Sequence, residues 1–359
     1  MTRKLWFQVC IGILLSILII KYVVEIKWIF SPFVILLKTI FLPLLISGVL
    51  FYITVPIQTF LEKRKVPRWG SIIIIFLLLI AFIWAAIAIV GPQITKQVNN
   101  LIENAPIIIQ ETNQLFIQLI NQTGHLPEWL NDSIDSATES LNTIAVQFGK
   151  WIVQFIQSIV QGALILVLVP FFYIFMLKDH EKFLPFVKQF FSGETKKWVV
   201  KTINDIDDVL NLYIRGQLLI STILATLLYI GYLIIDLNFA LLLSVFALFM
   251  NVIPFIGPWI AFIPALIIGI FQDPMMIIWV SLTTLIAQQI DSNVITPNVM
   301  GKTLNIHPLT IITILLAAGS MAGFLGILLA VPGYAVGKAI VSNIYERRKE
   351  IKKTATKTI

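Results

Sequence analysis

Long uninterrupted apolar runs dominate this chain, and few folds can absorb them. They fall at about 5–24, 29–57, 70–91, 151–177, 211–235, 239–271, 275–290 and 308–340. A helix needs roughly 20 apolar residues to cross about 30 Å of hydrocarbon. Spanning strands would instead give alternating segments of about ten residues, which is not the pattern here. Composition agrees, with 58% of residues apolar before glycine is counted and 13% charged. A soluble domain carries about 45–50% and about 25%. The expected fold class is an all-α polytopic membrane protein of about eight transmembrane segments, with the lipid bilayer as its first partner.

Lysine and arginine set the orientation, because basic loops stay cytoplasmic. Lys63, Arg64, Lys65 and Arg68 follow the second run, and Lys178, Lys182, Lys188, Lys196, Lys197 and Lys201 follow the fourth. Arg347, Arg348, Lys349, Lys352, Lys353 and Lys357 crowd the tail. Segment 92–150 is instead acidic, with Glu103, Glu111, Glu128, Asp132, Asp135 and Glu139 against Lys96 and Lys150. Both termini are therefore expected inside and 92–150 outside. The formal net charge of +7 reflects this bias rather than a nucleic-acid partner. Arg3 and Lys4 before the first run resemble a signal peptide, but Lys21-Tyr22-Val23-Val24 offers no small-residue cleavage site, so an uncleaved first span is expected.

The chain then divides into segments 1–3 over 1–91, an external helical hairpin over 92–150, a fourth span over 151–177, cytoplasmic or interfacial amphipathic helices over 178–210, a transport core over 211–340 and a basic tail over 341–359. In the external hairpin, Ile108, Thr112, Leu115, Phe116 and Leu119 share one helical face, and Ile134, Ala137, Leu141, Ile144 and Phe148 share another. Thr123-Gly124-His125-Leu126-Pro127 breaks them apart. The two seams pack on each other, or serve as a lid or a contact in a homo-oligomer. Phe183, Phe186, Val187, Phe190 and Phe191 form an apolar stripe beside Lys182 and Lys188, which suits a helix lying in the inner interface.

Within the core, Asn251-Val252-Ile253-Pro254-Phe255-Ile256-Gly257-Pro258 interrupts the sixth run. Two prolines four residues apart remove backbone donors and break the helix. In lipid each freed group needs a partner from protein or a wet cavity. Broken helices at membrane depth are where transporters place their sites, although a plain proline kink would read the same. The last run is interrupted by Gly319, Gly323, Gly326 and Pro332. Its Gly319/Gly323 spacing also suits close packing between helices. Each run would be about 50 Å long as one helix. They are either long tilted spans, giving eight crossings, or re-entrant hairpins, leaving six.

Polar residues inside the apolar zone need a reason, since a charge at the membrane centre costs about 2.5–3.5 kcal/mol on insertion scales. Arg215, beside Gln217, either snorkels to the inner interface or pairs with a carboxylate or anion. Asp291, with Gln288 and Asn293, either ends a helix at the interface or handles a cation or proton. The candidate substrate or ion path is therefore Arg215, Gln217, Asn251, Pro254, Gly257, Pro258, Gln288, Asp291 and Asn293. Lone Cys10 allows no intrachain disulfide. His125 and His180 are expected on opposite faces, and no HExxH, CxxC, G-x-S-x-G or Walker-type loop occurs. No catalytic set, metal or cofactor is expected. Without an ATP-binding loop, active transport must draw on an ion gradient or a partner.

These residues lead to a family. Pro43-Leu44-Leu45-Ile46, Tyr52, Pro56, Leu61-Glu62 and Pro67 come first, followed by Tyr213-Ile214-Arg215-Gly216-Gln217 and Ile253-Pro254-Phe255-Ile256-Gly257-Pro258. Thr296-Pro297-Asn298-Val299-Met300-Gly301, His307-Pro308-Leu309 and Gly326-Ile327-Leu328-Leu329-Ala330-Val331-Pro332 complete the series. In this order the chain resembles the autoinducer-2 exporter family of bacterial membrane proteins. The resemblance implies an eight-segment inner-membrane permease for a small polar solute or a cation, by autoinducer-2 export or sodium/proton antiport. Asp291 stands where the family usually has Glu, one methylene longer. A membrane scaffold whose external hairpin binds a partner is the reading from another class.

Overall fold

The computed structural model describes residues 5–123, 147, 163–301 and 306–357, and every element among them is helical. In chain order they are α1 (Leu5–Glu25), α2 (Lys27–Lys63), α3 (Arg68–Thr123), α4 (Ala163–Lys188), α5 (Gly193–Ile234), α6 (Ala240–Met250), α7 (Ile256–Gln272), α8 (Met276–Ile290), a π-helical turn (Asp291–Ile295), α9 (Thr296–Met300) and α10 (Pro308–Lys357). The spans 31–63, 68–100, 193–234 and 308–349 are long and apolar enough to cross a bilayer. Large apolar side chains such as Phe33, Phe82, Trp84 and Leu316 stand exposed along them, the reverse of a soluble core and the pattern lipid requires. The chain is an all-α polytopic membrane protein.

Two compact units make up the chain, the smaller being Met1–Phe51 with Gly162–Lys178 and the larger Tyr52–Gln161 with Asp179–Ile359. In the smaller unit, buried Ser47 Oγ lies 2.7 Å from the Pro43 carbonyl of its own helix and 2.9 Å from the Val169 carbonyl of α4. That hydroxyl ties α2 to α4.

The larger unit differs from the sequence expectation in where its helices stop. The helix that carries the fourth apolar run continues past 177 to Lys188, and the helix that carries the fifth begins at Gly193. Gln189–Ser192 and the positive φ of Gly193 (58°) are all that separates them. The amphipathic stretch 178–210 is thus the continuation of two longer helices, α4 and α5. The first limb of the expected external hairpin is likewise the continuation of α3 to Thr123. Its second limb lies outside the described residues.

Both interrupted runs fold back on themselves. α6 is 11 residues long, about 16 Å, and falls short of about 30 Å of hydrocarbon. The chain reverses over 251–255, where Phe255 takes φ 65°, and α7 returns. A Cβ on Gly257 would run into the Met250 carbonyl, so glycine alone allows this approach. Pro258 sits in the first turn of α7, where its missing N–H costs nothing. The break therefore belongs to 251–255, with Pro258 starting the return limb rather than breaking it.

α10 is broken the same way. Ala322 (φ −137°, ψ 17°) and Gly323 (φ 59°, ψ −139°) leave helical geometry and divide it into limbs 308–321 and 324–357. A Cβ on Gly326 would collide with the Ala318 carbonyl, eight residues earlier and about 12 Å away in a straight helix. Run 308–340 is therefore a hairpin and not one long tilted helix. Its glycines serve the reversal: Gly323 supplies the positive φ, and Gly319 meets Ile327 of the return limb rather than a second spanning helix.

Two apolar clusters hold these parts. Leu224, Leu228, Tyr232, Leu243, Ala247, Ala265 and Val280 join α5 to the first hairpin and α8. Tyr213, Ile220, Ile253, Met300, Ile311, Leu315 and Val331 join α5 to the first hairpin's tip, α9 and the second hairpin.

Candidate functional site

Between those clusters lies a cavity of about 710 Å³, well inside the range of roughly 300–1,000 Å³ typical of small-molecule pockets. α5 contributes Tyr213, Gln217, Ile220 and Leu224, at helical spacing on one face. The first hairpin adds Asn251, Pro254, Phe255, Pro258, Trp259 and Phe262. Ser281, Thr284, Gln288 and Asp291 form a polar stripe along α8 into the π turn, and the second hairpin closes the cavity with Ile311 and Val331.

The backbone break is stabilised from within. Gln217, 7% exposed, donates from Nε2 to the Asn251 carbonyl at 2.6 Å, satisfying an acceptor freed where α6 ends. An unsatisfied buried acceptor costs about 1–3 kcal/mol. Asn251 itself is 3% exposed, yet both its side-chain amide atoms lack a partner. The Tyr213 hydroxyl and Gln288 Nε2 are also buried without partners. Natural proteins seldom leave buried polar groups orphaned, and a cluster of them around a cavity makes it the candidate ligand site.

Asp291 is half-buried at the cavity wall, where its Oδ1 accepts a hydrogen bond from Thr296 Oγ1 at 2.9 Å. That i, i+5 pair is the spacing a π-helical turn makes adjacent, and such turns recur at functional sites. Asp291 is the single charged side chain among the described lining residues.

Of the residues selected from sequence, Gln217, Asn251, Pro254, Pro258, Gln288 and Asp291 line this one cavity. Three do not. Gly257 shapes the hairpin from behind. Asn293 is exposed and its Nδ2 donates to the carbonyl and Oε1 of Gln289. Arg215 donates from Nε to the Tyr52 carbonyl, while the Tyr52 hydroxyl donates to Asp207 at 2.8 Å. Arg215 thus braces α5 against the end of α2. Sequence reasoning passed over Tyr213, Ser281, Thr284, Thr296 and the aromatic wall. Hydroxyl residues in apolar helices give little signal because they can bond to their own preceding turn. The i, i+3, i+7 spacing of Ser281, Thr284 and Gln288 was the available clue.

Two broken-helix hairpins meeting at a polar-lined cavity within a polytopic chain define a membrane transporter. Sequence comparison gives the particular family: the profile described as AI-2E family transporter matches residues 11–346, and the chain belongs to that family. It is 36% identical over 343 residues to YueF of Bacillus subtilis (strain 168), covering 92% of this chain and 91% of that protein. YrrI of the same organism is 31% identical over 346 residues, covering 96% and 97%. Both are named for a transport role. PerM of Escherichia coli (strain K12), named as a permease, is 27% identical over 314 residues, covering 83% and 86%.

Proposed function

We propose that the cavity is the solute-binding station of a secondary transporter or facilitator for a small polar solute. The observation that carries this reading is the pair of unpartnered groups, the Tyr213 hydroxyl and the Asn251 amide, buried beside the broken tip of the first hairpin. Discontinuous helices turn such polar groups toward a ligand that supplies their missing hydrogen bonds. Asp291 is the group through which a proton would couple to movement. Autoinducer-2, after which the resembling exporters are named, is the first cargo to test.

The test is reconstitution of the purified full chain into proteoliposomes. Labelled autoinducer-2 uptake and sodium-driven proton movement are followed for the wild type, Asn251→Ala and Asp291→Asn. At least one flux is expected, and Asn251→Ala should reduce it about tenfold, the effect of about 1.4 kcal/mol. Flux that ignores both substitutions would remove the cavity from the transport path.

A further inference from the structure

We propose that the cavity selects an amphiphilic organic monocation: a protonated or quaternary amine carrying an aromatic or aliphatic body. The proposal rests on the cavity being the solute-binding station, and it names the class of solute. Three observations converge on it.

Charge comes first. Among the described lining residues Asp291 is the one carboxylate, and its partner there is a neutral hydroxyl, Thr296. No lysine or arginine stands among the described lining residues. Arg215, the cation expected from sequence to meet an anion, is engaged with the Tyr52 carbonyl outside the lining. A carboxylate in an apolar setting calls for a counter-charge, and a cationic ligand supplies it with a charge-assisted hydrogen bond or close ion pair.

Shape and chemistry of the wall come second. Tyr213, Phe255, Trp259 and Phe262 present aromatic surface to the same space as Asp291. Trp259 and Phe262 pack edge to face at 6.5 Å. Aromatic faces attract ammonium groups, most strongly when desolvated. Phe255, Trp259 and Leu285 are both lining and exposed, at 48%, 70% and 61%. The apolar wall is therefore open along α7 and α8, as entry of a molecule with an apolar body requires.

Size comes third. A bare inorganic cation fills a cage of several oxygens at about 2–2.6 Å. Here about 710 Å³ is offered, and no group of three metal-binding side chains exists among the described residues. The unpartnered Tyr213 hydroxyl and Asn251 amide then serve a further polar group on the ligand.

Three probes with one body and three charges test the proposal: phenethylammonium, phenethyl alcohol and hydrocinnamate. Binding is measured by titration calorimetry on the full chain in phosphatidylcholine nanodiscs, with empty nanodiscs as baseline. Phenethylammonium is expected to bind at least about tenfold more tightly than the alcohol, and Asp291→Asn to erase that preference. Asn293→Ala, outside the lining, should leave all three affinities unchanged, and melting temperatures certify that each variant is folded. Equal binding of alcohol and cation, insensitive to Asp291→Asn but weakened by Asn251→Ala, would overturn the cation class and leave the solute site standing. Tightest binding of hydrocinnamate would overturn it too. If none of the three bound, the cation class would fall, while the solute site would still stand or fall by the flux test with Asn251→Ala.

Discussion

Gln217 decides whether the first hairpin can break inside the membrane. Its side chain reaches from α5 to the carbonyl of Asn251 and replaces the helix bond that α6 gives up. Leucine keeps the volume and deletes the donor. Gln217→Leu is expected to destabilise the protein by about 1–3 kcal/mol, since the acceptor stays buried. Thermal melting in detergent reads this directly, and an unchanged melting temperature would show that the bond adds nothing. Gly257 carries a different constraint. A methyl there meets backbone, the Met250 carbonyl, which cannot swing aside as a side chain can. Gly257→Ala is therefore expected to cost about 1–3 kcal/mol by overpacking. Gly257 was legible in the sequence as part of a helix-breaking motif, but its partner was not, because the carbonyl it admits becomes its neighbour only after the chain reverses.

At the scale of elements, the sequence announced breaks more clearly than it announced their form. Pro254 and Gly323 both mark real interruptions, yet hydropathy reads a hairpin and a tilted helix alike as 33 apolar residues. What separates them is the close approach of residues seven or eight apart, a tertiary fact. Ends of helices were misjudged for a related reason. Charged residues after 177 and before 211 read as separate amphipathic helices, but an amphipathic stretch can also continue an apolar helix without unwinding, as in α4 and α5. One such extension makes a testable contact: Glu181 of α4 receives a hydrogen bond from Arg68 at the start of α3, which also lies 3.1 Å from His180 Nδ1. The Arg68 hydrogen bond holds the Glu181 carboxyl below the usual carboxylate range. A lowered folded-state pKa gives stability that is present above the ordinary carboxylate pKa and is lost as pH falls through the lowered value. Arg68→Gln should accordingly flatten the acid limb of a melting-temperature profile while leaving the neutral region nearly unchanged. Glu181 is exposed and Arg68 partly so, and salt should therefore also weaken the pair's effect. An identical acid limb in the variant would show that other carboxylates govern it.

For the larger unit as a whole, two sets of polar contacts label its two ends. At one end Gln272 Nε2 donates to the Asp236 carbonyl at 2.7 Å, and Gln272 Oε1 accepts from the Asn238 amide at 2.8 Å. The first hairpin therefore enters and leaves by a single end. At the other, Trp198 Nε1 donates to the Asn343 carbonyl at 3.1 Å, Lys201 pairs with Glu346 at 2.6 Å, and the Arg347 guanidinium lies 5.0 Å over the Trp198 ring. That end carries the basic tail, which the lysine and arginine bias assigns to the cytoplasm. From the Gln272 end, α8 runs back along α5, and the α9 segment packs Met300 beside Gly216. The outgoing limb of the second hairpin then continues to Asn343. With that bias, a chain that returns on the same side twice is expected to make six crossings with two re-entrant hairpins, and to leave the segment after Ile290 on the cytoplasmic side. Eight crossings would put that segment outside. A single cysteine at Asn298, an exposed position, in a Cys10→Ser background separates the two arrangements. An impermeant maleimide should fail to label intact cells and should label them once the membrane is opened. Labelling of intact cells would require both hairpins to cross the bilayer.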